Sequence, residues 1–165
     1  TYTLPIVITR CSNNYGPYQH PEKLIPYSIQ RLMKGEPIAI YGDGRYVRDW
    51  IHVEDHCNAL ALALAEGAPG EIYNIGADEE VNNLSLAKRI LAYFNKDATD
   101  IVFVKDRPGH DRRYAVDASK IRKELGWKPT HSFHTSLTAT VAWYVQNATW
   151  VRRALARAGA ANAHL

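Results

Sequence analysis

Cysteine is scarce in this 165-residue chain, which contains only Cys11 and Cys57. The two residues lack Cys-x-x-Cys spacing, so the sequence predicts neither a zinc site nor a disulfide framework. Long apolar runs are also missing: no segment approaches ~18 uninterrupted apolar residues, and the first residues show no charged region followed by an apolar run. We therefore expect no signal peptide, no membrane span, no bound metal and a cytoplasmic location.

Charge of one sign is not in large excess either. The formal net charge is +3, and basic residues do not alternate with aromatic residues over a long span, so the sequence does not predict nucleic-acid binding. Hydrophobic residues make up 46% of the chain and charged residues 22%, which leaves ample material for a core. The chain is expected to form one domain, or the larger part of a two-lobed protein.

Several motifs of cofactor binding and catalysis are missing as well. The sequence has no G-x-G-x-x-G turn, and none of its ten tyrosines is followed by lysine four positions later. No serine lies in a G-x-S-x-G context. The chain therefore offers groups that bind a ligand but no evident catalytic residue.

Predicted strands alternate with predicted helices, which indicates the α/β class. The apolar run 4–8 is typical of a strand buried on both faces of a parallel sheet. A chain that opens on such a strand normally has more sheet before it, so we expect another domain before Thr1, or another chain, to complete the sheet. Further strands are predicted in 37–44, 70–76 and 101–104, and helices in 22–35, 53–67, 82–94, 117–127 and 132–159. The helix in 53–67 is expected to be buried, and the helix in 117–127 to have Asp117 as its N-cap and to end at Gly126.

The first candidate binding segment is Ser12, Asn13 and Asn14, which follow the first predicted strand. Ligands of open α/β sheets bind beyond the carboxyl ends of the strands, where hydroxyl and amide groups would orient a ligand. The alternative is that the segment 13–16 only turns the chain.

Arginine supplies the second candidate. Arg45 and Arg48 follow a glycine turn at 42–44, and the planar guanidinium group suits phosphate oxygens. The alternative is that Arg48 lies beside Asp49 on a solvated surface. The two glycines do not form a dinucleotide fingerprint, since a third glycine is missing.

The third candidate is the charged segment 106–117, DRPGHDRRYAVD. A turn at Pro108-Gly109 would let Arg107 and His110 converge on one point. Together with Arg48, Lys23 and Asn83 they would cradle a diphosphate, although only the fold can bring four separated segments together. Asp106 and Asp111 are expected to hold the guanidinium groups in place, and at least one of Arg112 and Arg113 is expected to form a structural ion pair.

Six segments then identify a resemblance: CSNNYGPYQHPEKLIP, IYGDGRYVRDWIHVEDH, YNIGA, NNLSL, DRPGHDRRYAVD and ELGWKP. Residues 2–150 closely resemble the C-terminal half of the dTDP-glucose 4,6-dehydratase family, in the extended short-chain dehydrogenase/reductase superfamily. The segments 13–24 and 106–113 separate this family from the nucleotide-sugar epimerases and decarboxylases, which share only looser features.

The resemblance implies a fold and a division into domains. The chain would be the C-terminal portion of an extended Rossmann-type dehydratase, with the last sheet strands and a smaller substrate-binding lobe. Residues 1–16 would end a Rossmann-lobe strand and its ligand loop. Residues 17–150 would form mainly the substrate-binding lobe, with a Rossmann strand returning near 71–76, and residues 151–165 a basic tail.

The resemblance also implies an activity, conversion of dTDP-glucose to dTDP-4-keto-6-deoxy-glucose and water with tightly held NAD. This chain would supply dTDP-sugar binding, while the catalytic tyrosine and lysine and the glycine turn for NAD would lie before Thr1. We therefore expect this chain alone to be inactive and the intact enzyme to be a homodimer. The alternatives are a non-catalytic nucleotide-sugar binding module and a UDP-sugar epimerase or decarboxylase of the same superfamily.

Individual site residues follow from the resemblance position by position. Asn14 would lie near the nicotinamide end of NAD, and residues 39–41 would pack against or hydrogen-bond the thymine, with Ala39 in place of a frequent proline. The implied substrate contacts are Asn13, Lys23, Leu24, Ala39, Ile40, Tyr41, Arg48, Asn83, Asp106, Arg107 and His110.

Overall fold

The computed structural model describes residues 4–162, and it confirms the α/β class. The strands are β1 (Ile8–Cys11), β2 (Asn13–Tyr15), β3 (Ile38–Tyr41), β4 (Val47–His52), β5 (Ile72–Ile75), β6 (Glu80–Asn82), β7 (Ile101–Val104) and β8 (Arg113–Tyr114). The helices are α1 (Leu24–Met33), α2 (Val53–Glu66), α3 (Asn83–Tyr93), α4 (Ser119–Leu125), α5 (Phe133–Gln146) and α6 (Ala148–Asn162). None of the described helices is long and apolar enough to span a membrane.

The strands form three small sheets. β1 pairs with β5, and β3 pairs with β7, both in parallel. β4 is the centre of the third sheet, since it pairs in parallel with β2 and β8 and antiparallel with β6. The parallel pairing of β5 with β1 agrees with a Rossmann strand near 71–76, while the division into domains stays a prediction. Residues 1–3 and 163–165 of the predicted end segments lie outside the described residues.

Two hydrophobic clusters hold the sheets and helices together. The larger one packs α1, α3 and α5 against β3 and β4, and it includes Ile29, Ile40, Ile90 and Phe133. The smaller one packs α2 and α4 against β1 and β5. Each helix therefore buries one apolar face, as an amphipathic pattern requires.

Two apolar segments that we expected to be buried are exposed. β1 begins only at Ile8, and Leu4 and Ile6 are 65% and 54% exposed. In α2 only Asp55, Ala59 and Ala63 are buried, and Leu64 is 89% exposed. The predictions of a strand at 4–8 and of a buried helix at 53–67 are therefore wrong for the described residues. The strand begins only at Ile8 and pairs with β5 alone, and α2 packs on one face only.

The ends of two helical segments also differ from expectation. The predicted stretch 132–159 is divided into α5 and α6 at Asn147, whose Nδ2 donates to the carbonyl oxygen of Trp143 at 2.8 Å. The N-cap position of α4 is Ala118 rather than Asp117, although the Asp117 carboxylate accepts from the amide of Ser119 at 2.8 Å. Gly126 ends α4 with a left-handed φ of 66°, as predicted.

Tyr144 of α5 fixes the turn that leads into the candidate site. Its buried hydroxyl lies 2.8 Å from the carbonyl oxygen of Gln19 and 3.3 Å from that of Gly16. Burial raises the pKa of Tyr144, so the hydroxyl remains a donor. Tyr144→Phe is expected to lower the free energy of unfolding by about 1–2 kcal/mol, measured by urea denaturation. The exposed Tyr93→Phe is the control, and equal stability of the two variants would contradict this role.

Candidate functional site

The described residues enclose a cleft of about 960 Å³ between α1, the β3–β7 pair, β4 and the loop after β7. Ten of the eleven predicted substrate-binding residues line it: Asn13, Lys23, Leu24, Ala39, Ile40, Tyr41, Arg48, Asn83, Arg107 and His110. Arg48 and Arg107 therefore face one cavity from two distant segments. Their contact with a ligand stays a prediction.

Eight further residues of the cleft wall are not predicted from the sequence: Gln19, Glu22, Tyr27, Arg31, Trp50, Val102, Val104 and Lys105. The alternation of β7 was available as a signal, because Val102 and Val104 lie on one face of a predicted strand. Trp50 would have followed from Arg48 by the same rule, had β4 been recognised as a strand.

The charges of the cleft suit an anion. Five lysine and arginine residues line it, against one acidic residue, Glu22. The basic residues are Lys23, Arg31, Arg48, Lys105 and Arg107. Arginine in such a setting binds phosphate or carboxylate oxygens with parallel hydrogen bonds.

Arg48 is held rigidly at the cleft wall. It is only 9% exposed, and its Nη1 and Nη2 donate to the carbonyl oxygens of Val47 and Asp111, both at 2.7 Å. Since a guanidinium group has five N–H donors, three remain for a ligand. The solvated-surface interpretation of Arg48 is therefore wrong.

The segment 106–110 folds back at the Pro108-Gly109 turn, where Gly109 has a φ of 69°. Asp106 does not line the cleft; its carboxylate accepts from Tyr46, from the ring of His110 and from the amide of Arg107. Asp111 contacts Arg48 through its carbonyl oxygen. The prediction that these two carboxylates hold guanidinium groups is wrong, because the loop presents backbone oxygen to Arg48 instead.

One wall of the cleft is apolar. In the β3–β7 pair, Ala39 is opposite Val102 and Tyr41 is opposite Val104, so the four side chains share one face. Tyr41 is 48% exposed and the two valines 38% and 37%, which leaves their face accessible to a flat apolar group.

Three buried polar atoms of cleft residues have no hydrogen-bond partner within residues 4–162. They are Gln19 Oε1, Trp50 Nε1 and Asn83 Oδ1. Leaving such atoms unpaired is costly, so each of them calls for a partner such as an ordered water or ion, or for a functional role.

Asn14 lies outside the cleft. Its Nδ2 donates to the carbonyl oxygen of Ser12 at 3.1 Å, and its Oδ1 lies 2.8 Å from Nδ1 of His56. Burial lowers the pKa of His56, so that ring is held as a neutral donor to the amide oxygen. The nicotinamide contact of Asn14 stays a prediction.

Two other arginines of the sequence analysis lie away from the cleft wall. Arg113 forms a double hydrogen bond with Glu80, Nε to Oε2 at 2.7 Å and Nη2 to Oε1 at 2.5 Å. This confirms a structural ion pair in the Arg112-Arg113 segment. Arg45 is exposed and lies 3.8 Å from the carboxylate of Asp43.

Among the described residues, His52, Glu54 and His131 are a possible group of metal ligands. The two imidazole rings are stacked, 4.1 Å apart and 23° from parallel, so their lone pairs do not converge. Burial and the neighbouring His131 also lower the pKa of His52, and His131 Nδ1 lies 3.0 Å from the Asp55 carboxylate. The geometry does not favour a metal, whose absence stays a prediction.

The chain is similar in sequence to a known protein family and to characterised enzymes. The model of the family described as GDP-mannose 4,6 dehydratase matches residues 1–140. A dTDP-glucose 4,6-dehydratase of Xanthomonas campestris pv. campestris is 48% identical over 164 residues, which is 94% of this chain and 47% of the relative. The chain thus spans about half the length of the curated relatives it matches.

Solved structures show the same relationship. A dTDP-glucose 4,6-dehydratase from Streptomyces venezuelae, with NAD and dTDP bound, superposes with a TM-score of 0.90 at 48% identity. The match covers 93% of this chain and 48% of that one. A UDP-glucuronic acid 4-epimerase from Bacillus cereus gives a TM-score of 0.82 at 31% identity, over 88% of this chain and 46% of that one.

Proposed function

Because the chain belongs to the GDP-mannose 4,6-dehydratase family, we propose that it is the substrate-binding half of an NAD-dependent dTDP-glucose 4,6-dehydratase. The 48% identity to dehydratases acting on dTDP-glucose, against 31% to the UDP-glucuronic acid epimerase, supports this substrate class. The observation that carries the proposal is that Arg48, Arg107 and the apolar face of the β3–β7 pair line one and the same cleft.

The basic part of the cleft would bind the diphosphate. Within residues 4–162, Arg48 uses two of its five N–H donors on backbone oxygens, and Arg107 and His110 approach from the Pro108-Gly109 turn. Asn83, at the start of α3, adds an amide to the same wall. Arg48, which is held by two backbone oxygens, would offer a fixed donor, and the exposed Arg107 would add a second guanidinium group.

The apolar face would bind the thymine. Ala39, Tyr41, Val102 and Val104 offer a flat apolar surface on one side of the β3–β7 pair. Burial of the thymine methyl group contributes about 0.8 kcal/mol, which uracil lacks. Lys23 and Leu24 of the α1 start would line the nucleotide sugar from the opposite wall.

Asn13 and Trp50 would face the hexose. They are neighbours across the β2–β4 pair, and both line the cleft. The indole N–H of Trp50 is buried and has no hydrogen-bond partner among residues 4–162.

NAD would supply the hydride acceptor and donor of the dehydration. The residues present fit only a supporting role toward it, because the chain has no G-x-G-x-x-G turn and the Asn14 amide is already bonded to Ser12 and His56. This chain would bind and orient the sugar, and residues outside it would hold NAD and perform proton transfer. A homodimer and a cytoplasmic location remain expectations for the intact protein.

The test is turnover of dTDP-glucose by the intact protein that contains this chain. We expect a product lighter by one water, detected by mass spectrometry, and no product from residues 1–165 alone with added NAD. In calorimetric competition dTDP should bind about fourfold more tightly than dUDP, which differs from it only in the methyl group.

UDP-glucose with the same protein is the matched control, because it differs from the substrate only in the nucleoside. Epimerisation of UDP-glucose without loss of water would assign the chain to the epimerases instead. Tight dTDP-glucose binding without turnover by the intact protein would make it a binding module.

A further inference from the structure

Tyr46 was not among the residues marked by the sequence, yet it contacts the loop that carries His110. Its hydroxyl donates to Oδ2 of Asp106, sixty residues away along the chain. Its ring is stacked on the imidazole of His110, with centroids 4.0 Å apart and planes 25° from parallel. Tyr46, Asp106 and His110 thus form one connected group.

The group defines which nitrogen of His110 faces the cleft. Nδ1 lies 2.9 Å from Oδ1 of Asp106. A carboxylate only accepts, so Nδ1 carries a proton and donates to Asp106, and Nε2 is the ring nitrogen left for a ligand. A phosphate oxygen also only accepts, so in the complex Nε2 would carry a second proton and donate to it. His110 lines the cleft, whereas Asp106 and Tyr46 do not.

The carboxylate itself cannot turn freely. Oδ1 accepts from His110 and, at 2.9 Å, from the amide of Arg107, while Oδ2 accepts from Tyr46. Hydrogen bonds from Tyr46 and then His110 lower the pKa of Asp106, and the bond to Asp106 raises the pKa of Tyr46. Both shifts agree with an ionised carboxylate between two donors.

We propose that Tyr46 and Asp106 are positioning residues, which hold the His110 ring with Nε2 directed at the diphosphate of the nucleotide sugar and act on the ligand only through that ring. The inference rests on the proposed function. It assigns Asp106 a role different from the direct substrate contact implied by the resemblance. The same arrangement, a carboxylate behind a histidine, orients ligating and catalytic imidazoles in other proteins.

A double-mutant cycle in the intact protein tests the proposal, with dTDP affinity measured by calorimetry. Asp106→Asn and His110→Ala should each weaken binding roughly tenfold, the loss of one charge-assisted hydrogen bond to the ligand, and Tyr46→Phe roughly threefold, because it loosens the ring without removing that bond. In the His110→Ala background neither Asp106→Asn nor Tyr46→Phe should change affinity further. Losses that multiply in the double variants would overturn the proposal.

Two controls separate positioning from a general structural effect. Tyr93→Phe removes a hydroxyl from an exposed tyrosine outside the cleft and should leave dTDP affinity unchanged. In turnover assays, Tyr46→Phe should raise KM for dTDP-glucose with kcat unchanged, because the diphosphate is bound equally in ground and transition states. A fall in kcat alone would contradict the proposal.

The tautomer of His110 can be observed without any ligand. Histidine-selective ¹⁵N labelling of the ligand-free protein in alkaline solution should show the proton of the neutral ring on Nδ1 in the wild type and a shift toward Nε2 in Asp106→Asn. The His110→Ala spectrum assigns the signals. A wild type with its proton on Nε2 overturns the positioning role. A wild type with the proton on Nδ1 that fails to bind dTDP refutes the proposed function and leaves the positioning role standing.

Discussion

Arg48→Ala is expected to weaken dTDP binding to the intact protein by roughly one to two orders of magnitude, because a charge-assisted hydrogen bond contributes about 1.5–3 kcal/mol. The loss has a second source in the structure. Nη2 donates to the carbonyl oxygen of Asp111, so the guanidinium also ties the segment 106–111 to β4. Removing it would take away one of the contacts that hold this segment as well as one phosphate contact.

Arg45→Ala is the matched control, since it removes an exposed guanidinium from the same loop-strand segment and lies outside the cleft. It should leave affinity unchanged. Arg48→Lys should fall between wild type and alanine, because an ammonium group keeps the charge but cannot reach two carbonyl oxygens and a phosphate together. For Arg107→Ala, which removes a more exposed group, we expect a loss of about tenfold. Wild-type affinity in Arg48→Ala, measured by calorimetry, would refute the diphosphate site.

Asp55→Ala is expected to lower the free energy of unfolding by about 3–5 kcal/mol. The Asp55 side chain is buried at the start of α2 and accepts four hydrogen bonds from the segment before α5. They come from the amide and hydroxyl of Thr130, at 3.1 and 2.7 Å, and from the amide and Nδ1 of His131, both at 3.0 Å. Truncation would leave these donors without an acceptor in the protein interior.

Glu66→Ala is the control, because it removes an exposed carboxylate from the other end of the same helix. Its effect should stay within about 0.5 kcal/mol, the range of ordinary surface substitutions. Asp55→Asn should lie between the two, since an amide oxygen can still accept part of the hydrogen bonds. Urea denaturation of the intact protein measures all three, and equal stability of Asp55→Ala and Glu66→Ala would contradict the assignment.

The same carboxylate predicts a pH dependence. Burial would raise the pKa of Asp55, but the hydrogen bonds from His131 and Thr130 outweigh burial and lower it. Because the folded pKa lies below the unfolded value near 3.9, this stability is present above about pH 4 and lost as the pH falls through the folded pKa. The difference in the free energy of unfolding between wild type and Asp55→Ala should therefore become smaller as the pH falls below about 4. If this difference in unfolding free energy does not change with pH, Asp55 is not ionised in the folded protein.

The sequence predicts those strands and helices whose hydrophobic pattern is local, and it does not predict those that depend on contacts between distant segments. β3, β7 and α1 were found because a short apolar run or a period near 3.6, bounded by glycine, reports on local structure alone. β4 was missed, since its residues include Arg48, Asp49 and His52, which resemble a solvated loop. Those groups are buried, and Asp49 accepts from the amide of Glu79, a partner distant in sequence. Local patterning cannot show that such compensation exists.

The candidate site likewise contains residues that the sequence predicts and residues that only the tertiary structure reveals. Family resemblance located ten cleft residues because it carries information from whole folds rather than from local pattern. It did not reveal Tyr46, whose role depends on a contact with Asp106, nor the apolar face completed by Val102 and Val104. Both features arise from pairing between segments that only the tertiary structure brings together.

The central position of β4 has a consequence for how proteins of this kind acquire new ligands. Arg48 and Trp50 are two residues apart on one face of this strand, so their Cα atoms are separated by about 6.5–7 Å. A change of side chain cannot alter this distance, because β2 and β6 pair with the two edges of β4 and fix its backbone. A ligand with a longer linker would require a bulge in the strand itself. Sequence differences between related proteins with different ligands should therefore concentrate in the flanking loops, which can lengthen without altering the Arg48–Trp50 distance.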